Sequence, residues 1–252
     1  MVPRDAIDMN LQLATWPEVQ RYLEQSQGVV IPIGSTEQHG PTGLIGTDAI
    51  CPETIAEGMS EAGVLVAPTI SYGMAQHHLA FPGSASLRPS TLLALVRDVV
   101  QSMAVAGFRK FYFLNGHGGN IATVTAAFSE VWTESSLRGE DSGLDMKLAN
   151  WFMGKRMQAL SAELYGDAEG FHATPSEISL TWHAYPDRAR SDSLTPTRGP
   201  NGVIREACDF RRSFPDGRCA SEPHRASVEH GKRFYEAGVA DALEDYQRFL
   251  TR

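Results

Sequence analysis

The sequence predicts a three-layer α/β/α fold on a mostly parallel sheet, and two observations carry the prediction. Short runs rich in β-branched and aromatic residues alternate with longer stretches of helical period, as in strands joined by crossover helices. No composition shift or Ser/Gly-rich linker divides the 252 residues, so a single domain over 1–252 is the economical expectation.

The elements follow in order. A helix over 16–26 starts behind Thr15 as its cap, and GVVIPIG at 28–34 is the first strand. A helix over 48–59 leads to GVLVAPTI at 63–70, the second strand. Behind Ser90, the stretch 91–105 sets Leu92, Leu95, Val96, Val99 and Met103 at helical spacing. The third strand is FRKFYFLNG at 108–116, followed by a helix over 121–132 and a fourth strand, LDMKLANWF, at 144–152. The segment 186–225, rich in Pro, Gly, Arg and Asp, is too long for a plain connector and reads as a lid or an oligomer contact. Helical spacing returns over 227–250.

Composition narrows the function. Hydrophobic residues at 42% and charged residues at 21% describe a globular chain rather than a disordered or fibrous one. A net charge of -8, with only short basic clusters such as Phe210-Arg211-Arg212, leaves no footprint for nucleic acid. No secretory leader and no run of ~18 apolar residues is found, so the expectation is a cytoplasmic protein without a membrane partner. Cys51, Cys208 and Cys219 are odd in number and far apart, so any metal here takes nitrogen and oxygen ligands.

Ligands of open α/β sheets bind beyond the carboxyl ends of the strands, and the polar motifs fall there. Glu37, His39 and Asp48 follow the first strand in GSTEQHGPTGLIGTD, and His77 and His78 follow the second. His117 follows the third in NGHGGN, and His172 and Glu177 come after the fourth. Glu37 and His39, two apart at a strand-like end, project to the same side, as metal ligands do. Local readings compete with this. Asp48 is placed to cap the helix after it, Thr174-Pro175-Ser176-Glu177 is a capping box, and NGHGGN ahead of a helix could be an anion-binding turn. His183, His224 and His230 have no paired ligand spacing and read as surface or structural. The arrival of acids and histidines at four strand ends favours a shared site over these separate explanations.

The chain resembles the creatininase family of metal-dependent amidohydrolases. The resemblance rests on IPIGSTEQHGPTGLIGTD, HHLAFPGSASL, FYFLNGHGGN, FHATPSEIS and ASVEHGKRF, and it covers nearly the whole sequence. It implies a pair of divalent metal ions (zinc, manganese or iron) held by Glu37, His39, Asp48, His117 and Glu177, with Asp48 bridging. Glu37 and His117 would complete one metal, and His39 and Glu177 the other. It further implies hydrolysis of a C–N amide bond by a hydroxide shared between the metals, with His172 as general acid or proton shuttle. His78 and Phe171 become candidate substrate contacts, the substrate a small molecule, and the assembly a homohexamer.

The chain also departs from the pattern. Creatininase itself carries a metal-binding glutamate where this chain has Gly119, and aromatic residues where it has GDAEGF. Where many relatives read HAGE, this chain reads HATP. The expected substrate is therefore a cyclic amide, a formamide or a small peptide-like molecule, with creatinine as the alternative. A non-catalytic phosphate or nucleotide binder is the alternative from another class.

Overall fold

Three strands, β1 (Gly28–Ile33), β2 (Lys110–Asn115) and β3 (Asp145–Asn150), form a parallel sheet in that order in the computed structural model, which describes residues 9–190 and 197–252. The first eight residues, read above for a leader, and positions 191–196 of the predicted lid segment lie outside the described residues. Ile33 stands opposite Asn115, and Asn115 opposite Asn150, so the three carboxyl ends finish level.

The period-2 pattern sorts the side chains between two cores. Val29, Ile31, Ile33, Phe111 and Phe113 face one way, where they pack with side chains of α1 (Trp16–Leu23), α3 (Pro89–Ala106) and α4 (Asn120–Ser136). Val30, Tyr112 and Leu114 face the other way, into a core shared with α2 (Thr47–Glu61), α5 (Lys155–Leu164), α6 (Pro175–Ala184) and α8 (Val228–Leu250). The chain is thus a three-layer α/β/α fold. Among the described residues, no helix is long and apolar enough to cross a membrane.

The predicted strand at 63–70 is only partly realised. It runs parallel along the free edge of β1 through isolated bridges, Val30 with Val66 and Ile33 with Ile70. The Val30 N–H donates to the Leu65 carbonyl at 3.0 Å and the Gly34 N–H to the Ile70 carbonyl at 2.9 Å. Pro32, between Val30 and Gly34, has no N–H for that edge, so the ladder is interrupted there. The fourth predicted strand ends at Asn150, where Trp151–Met153 turns into a single 3-10 turn.

The segment after 196 has structure of its own. It carries α7 (Ala207–Ser213), whose Phe210 packs with Phe214, Phe81 and Cys219 in a small buried cluster. Arg211 lies 4.1 Å over the Phe81 ring, a cation–π contact that helps hold α7 to the loop after the second run.

Candidate metal centre

The site forms where the loop after β1, the first turn of α2, the loop after β2 and the first turn of α6 converge. Two glycines set the spacing. A Cβ on Gly34 would come within 2.1 Å of the Asp48 carbonyl oxygen, and one on Gly116 within 1.9 Å of the same atom. Both loops therefore pack backbone to backbone against the start of α2, which drives the Asp48 side chain toward the strand ends. Gly116→Ala is expected to push α2 outward, at about 1–3 kcal/mol of stability for the overpacking, and to weaken metal retention. Thermal melts and metal analysis of the variant test this.

Asp48 is not the helix cap that its position suggests. The cap is Gly46, α2 begins at Thr47, and Asp48 lies inside the first turn. Its Oδ1 is 3.0 Å from His39 Nε2 and its Oδ2 is 2.9 Å from His117 Nδ1. Glu37 Oε2 lies 3.4 Å from His117 Nε2. Glu177 does form the predicted capping box, its Oε1 accepting from the Thr174 N–H at 2.5 Å. Its other oxygen remains available and lies 4.0 Å from His39 Nε2. Structural and site roles share one side chain.

Three imidazoles are held in the same manner. His39 Nδ1 donates to the Glu37 carbonyl at 3.1 Å, His117 Nε2 to the Met74 carbonyl at 3.0 Å, and His172 Nε2 to the Gln38 carbonyl at 2.7 Å. A carbonyl only accepts, so each of these nitrogens carries a proton and the opposite nitrogen is left for the centre. Metal-ligating histidines are typically held this way. Glu37 Oε1, Glu37 Oε2 and Asp48 Oδ2 are buried without a hydrogen bond, although ring nitrogens lie within 3.4 Å of each. Lone pairs converging without hydrogen-bond geometry form a donor set that fits divalent cations with nitrogen and oxygen preference.

His78, expected as a substrate contact, is buried within the cluster, with Nε2 3.0 Å from Glu37 Oε1, and also lines the cavity above the centre. Phe171 is 76% exposed and stands at the mouth of the cavity above the centre. Gly119 leaves no room for the glutamate of creatininase itself, because a Cβ there would lie 2.4 Å from His117 Nε2. His77 packs with its ring 4.2 Å from that of His78 and lines the cavity, whereas the other three histidines sit away from the centre. His230 bonds Tyr165, His183 stacks on Tyr235 and His224 faces Glu222.

The electrostatics follow from burying these groups together. Burial disfavours charge on His39, but Asp48 beside it, with Glu177 and Glu37, raises its pKa to about 10. His117 rises to about 9 as Glu37 and Asp48 outweigh the same burial. Burial also works against ionised Glu37, yet His117 and His78 bring it down to about 2. Asp48, buried likewise, is lowered by His39 and His117. Glu177 is lifted by burial to about 7 against the pull of His39. His172 is held well below 6.5 by burial, with His39 and His78 beside it pushing the same way, so it is neutral.

The signs give a test. His39 and His117 have raised values, so their contribution to the metal-free fold is complete below their ordinary 6.5 and is lost as pH rises through about 9 to 10. Glu37 has a lowered value, so its contribution is present above its ordinary 4.5 and is lost as pH falls through about 2. At pH 7 both imidazoles hold a proton that a cation must displace. Zinc uptake at that pH is expected to release more than one proton per chain, read from binding heats in buffers of different ionisation enthalpy. Uptake without proton release would contradict the assignment.

Above the centre lies a cavity of about 820 Å³. Its floor includes Glu37, Asp48 and His172, and its far wall Trp151, Phe152 and Phe234. No Lys or Arg lines it among the described residues.

The model of the creatininase family, described as creatinine amidohydrolase, matches residues 12–245. The chain belongs to the creatininase family. It is 33% identical over 243 residues to a mycofactocin precursor peptide peptidase of Mycobacterium tuberculosis (strain ATCC 25618 / H37Rv), covering 90% of this chain and 87% of the relative. It is 27% identical over 250 residues to a creatinine amidohydrolase of Pseudomonas putida, covering 92% and 94%. Among solved structures it superposes on a mutant creatininase of Zn–Zn type with a TM-score of 0.83 at 24% identity, covering 97% of this chain and all of that one. Within this creatininase-family chain, Gln38 and His78 are the centre's members that spacing did not single out as such. The signal available was the neighbouring pair Glu37 and His39.

Proposed function

We propose that this chain is a binuclear metal-dependent amidohydrolase acting on an amide C–N bond. One observation carries the reading: three imidazoles, each pinned by one nitrogen to a main-chain carbonyl, turn the other toward buried carboxylates. Asp48, with one oxygen toward His39 and one toward His117, would be the ligand shared by the two ions. His117 and Glu37 would hold one, and His39 and Glu177 the other. Divalent ions bound there supply positive charge that polarises an amide carbonyl and acidifies water.

The chain's own residues do the rest. Glu37, buried and fixed by two imidazoles, stays ionised across the neutral range. His172 presents a bare Nδ1, 3.7 Å from Glu37 Oε1, where it can take a proton from attacking water and return it to the leaving nitrogen. The apolar wall of Trp151, Phe152 and Phe234 excludes bulk water from that exchange. A cavity of about 820 Å³ is far larger than creatinine requires and falls in the range of drug-sized ligands. Among the described residues its walls hold no Lys or Arg to receive a carboxylate, which favours an uncharged or cationic amide with an apolar, peptide-sized body.

The anion-binder alternative has less support. In NGHGGN the Gly116, His117 and Asn120 N–H groups already donate to Ile33, Asn115 and His117 oxygens, and the acids Glu37 and Asp48 stand beside the loop. The deciding experiment is metal analysis followed by turnover of creatinine, formamides, cyclic ureas and short peptide amides. Two metal equivalents per chain with hydrolysis of a larger amide support the proposal. A metal-free protein that binds nucleotides sinks it, and efficient creatinine turnover overturns the substrate reading.

A further inference from the structure

The geometry points to Gln38 as a positioning residue that sets which nitrogen carries the proton in His78 and, through its main chain, in His172. Gln38 is buried between Glu37 and His39, and both ends of its amide are anchored. Its Oε1 accepts from the Gly40 N–H at 2.8 Å, so the opposite end is the NH2 group. That nitrogen lies 3.1 Å from the Gly217 carbonyl, 2.9 Å from His78 Nδ1 and 2.9 Å from His172 Nε2. An amide has two N–H donors, and here it has three neighbours.

The count resolves in one way. Gly217 offers a carbonyl, which can only accept, and takes one N–H. His172 Nε2 already donates its own proton to the Gln38 carbonyl at 2.7 Å, so it has no lone pair in the ring plane to offer. The second N–H therefore goes to His78 Nδ1. His78, accepting there, carries its proton on Nε2, which lies 3.0 Å from Glu37 Oε1. His172, protonated on Nε2, keeps a bare Nδ1 toward the same oxygen. One residue thus places a donor and an acceptor side by side at Glu37.

Gln38 also ties this arrangement to the 197–225 segment. Gly217, at φ +86°, lies so close to the Gln38 amide that a Cβ there would overlap its oxygen. Phe210 of α7 meets the His78 ring edge-on at 4.7 Å. The wall built by that segment holds the amide and the ring it addresses.

The tautomers rest on hydrogen bonding alone, whereas their use in proton transfer rests on the proposed hydrolysis. The test is 15N NMR of the zinc-loaded protein labelled at its eight histidines, with single His→Asn variants for assignment. In the parent, both His78 and His172 are expected to show the proton on Nε2. In Gln38→Met, which keeps the length and loses the donors, His172 keeps that pattern and His78 gains a population protonated on Nδ1. If an amide substrate is found, kcat of Gln38→Met should fall about 10–100-fold with KM little changed. A parent His78 protonated on Nδ1, or one that is unmoved in Gln38→Met, overturns the inference and leaves the hydrolase reading standing. Should Gln38→Met not fold, the parent spectrum alone decides. Failure to hydrolyse any amide, with the tautomers as described, removes the hydrolase reading and leaves the role of Gln38 intact.

Discussion

Asp48→Asn is expected to abolish stoichiometric metal uptake and, with it, turnover. Both Asp48 oxygens are committed, one to His39 at 3.0 Å and one to His117 at 2.9 Å, and an amide supplies one acceptor and no charge. The activity loss should exceed the ~10–100-fold that removal of an outer partner of a metal ligand costs. The metal-free protein changes too. Removing one member of a buried ion pair costs about 3–5 kcal/mol, because the remaining charges are left unpaired. That cost has a pH signature. It is largest near pH 6, where His39 and His117 are protonated, and shrinks toward pH 10, where the parent has lost the same protons. Metal analysis and melts of the metal-free forms at both pH values check this. Unchanged metal content in Asp48→Asn would return Asp48 to a purely helical role.

The sheet was legible because its signal is local. The runs at 28–34 and 108–116 alternate residues between two cores, and both became strands. The run at 63–70 is as apolar as either, but whether it pairs depends on a donor missing from its neighbour, at Pro32. That is a property of the pair, and one segment's pattern does not contain it. The start of α6 was legible for the same local reason, through the Thr174 and Glu177 capping box, whereas α3 begins at Pro89, ahead of the Ser90 expected to precede it.

The centre was legible to the extent that its members carry chemistry in their own side chains. Glu37, His39, Asp48, His117, His172 and Glu177 are acids and imidazoles at strand ends, and the structure brings them together. Asp48 was ambiguous because a cap and an inward ligand differ by a shift of the helix start, which Gly34 and Gly116 decide by their approach. Gln38 carried no signal. A glutamine between a glutamate and a histidine is ordinary, and its partner Gly217 is 179 residues away. His78 was legible only as a pocket residue, since its burial depends on α7 closing over it.

His172→Asn should lower turnover by ~10²–10⁴-fold while leaving metal content unchanged. The ring is buried against the centre, yet its free Nδ1 stands 3.7 Å from Glu37 Oε1, beyond the reach of a hydrogen bond and on the cavity side. A group so placed can pass a proton between the centre and a molecule in the cavity. Its proton-binding nitrogen is already depressed well below 6.5 by burial and by His39 and His78, and cations bound nearby shift it in the same direction. The base is therefore ready at neutral pH, and the acid limb of the parent's kcat profile should lie below 6.5. Loss of metal in parallel with activity would make His172 a ligand, and full activity in the variant would make it a spectator. Metal retained with kcat lost is the expected outcome, because a residue that moves a proton and holds no metal leaves the centre intact when it is removed.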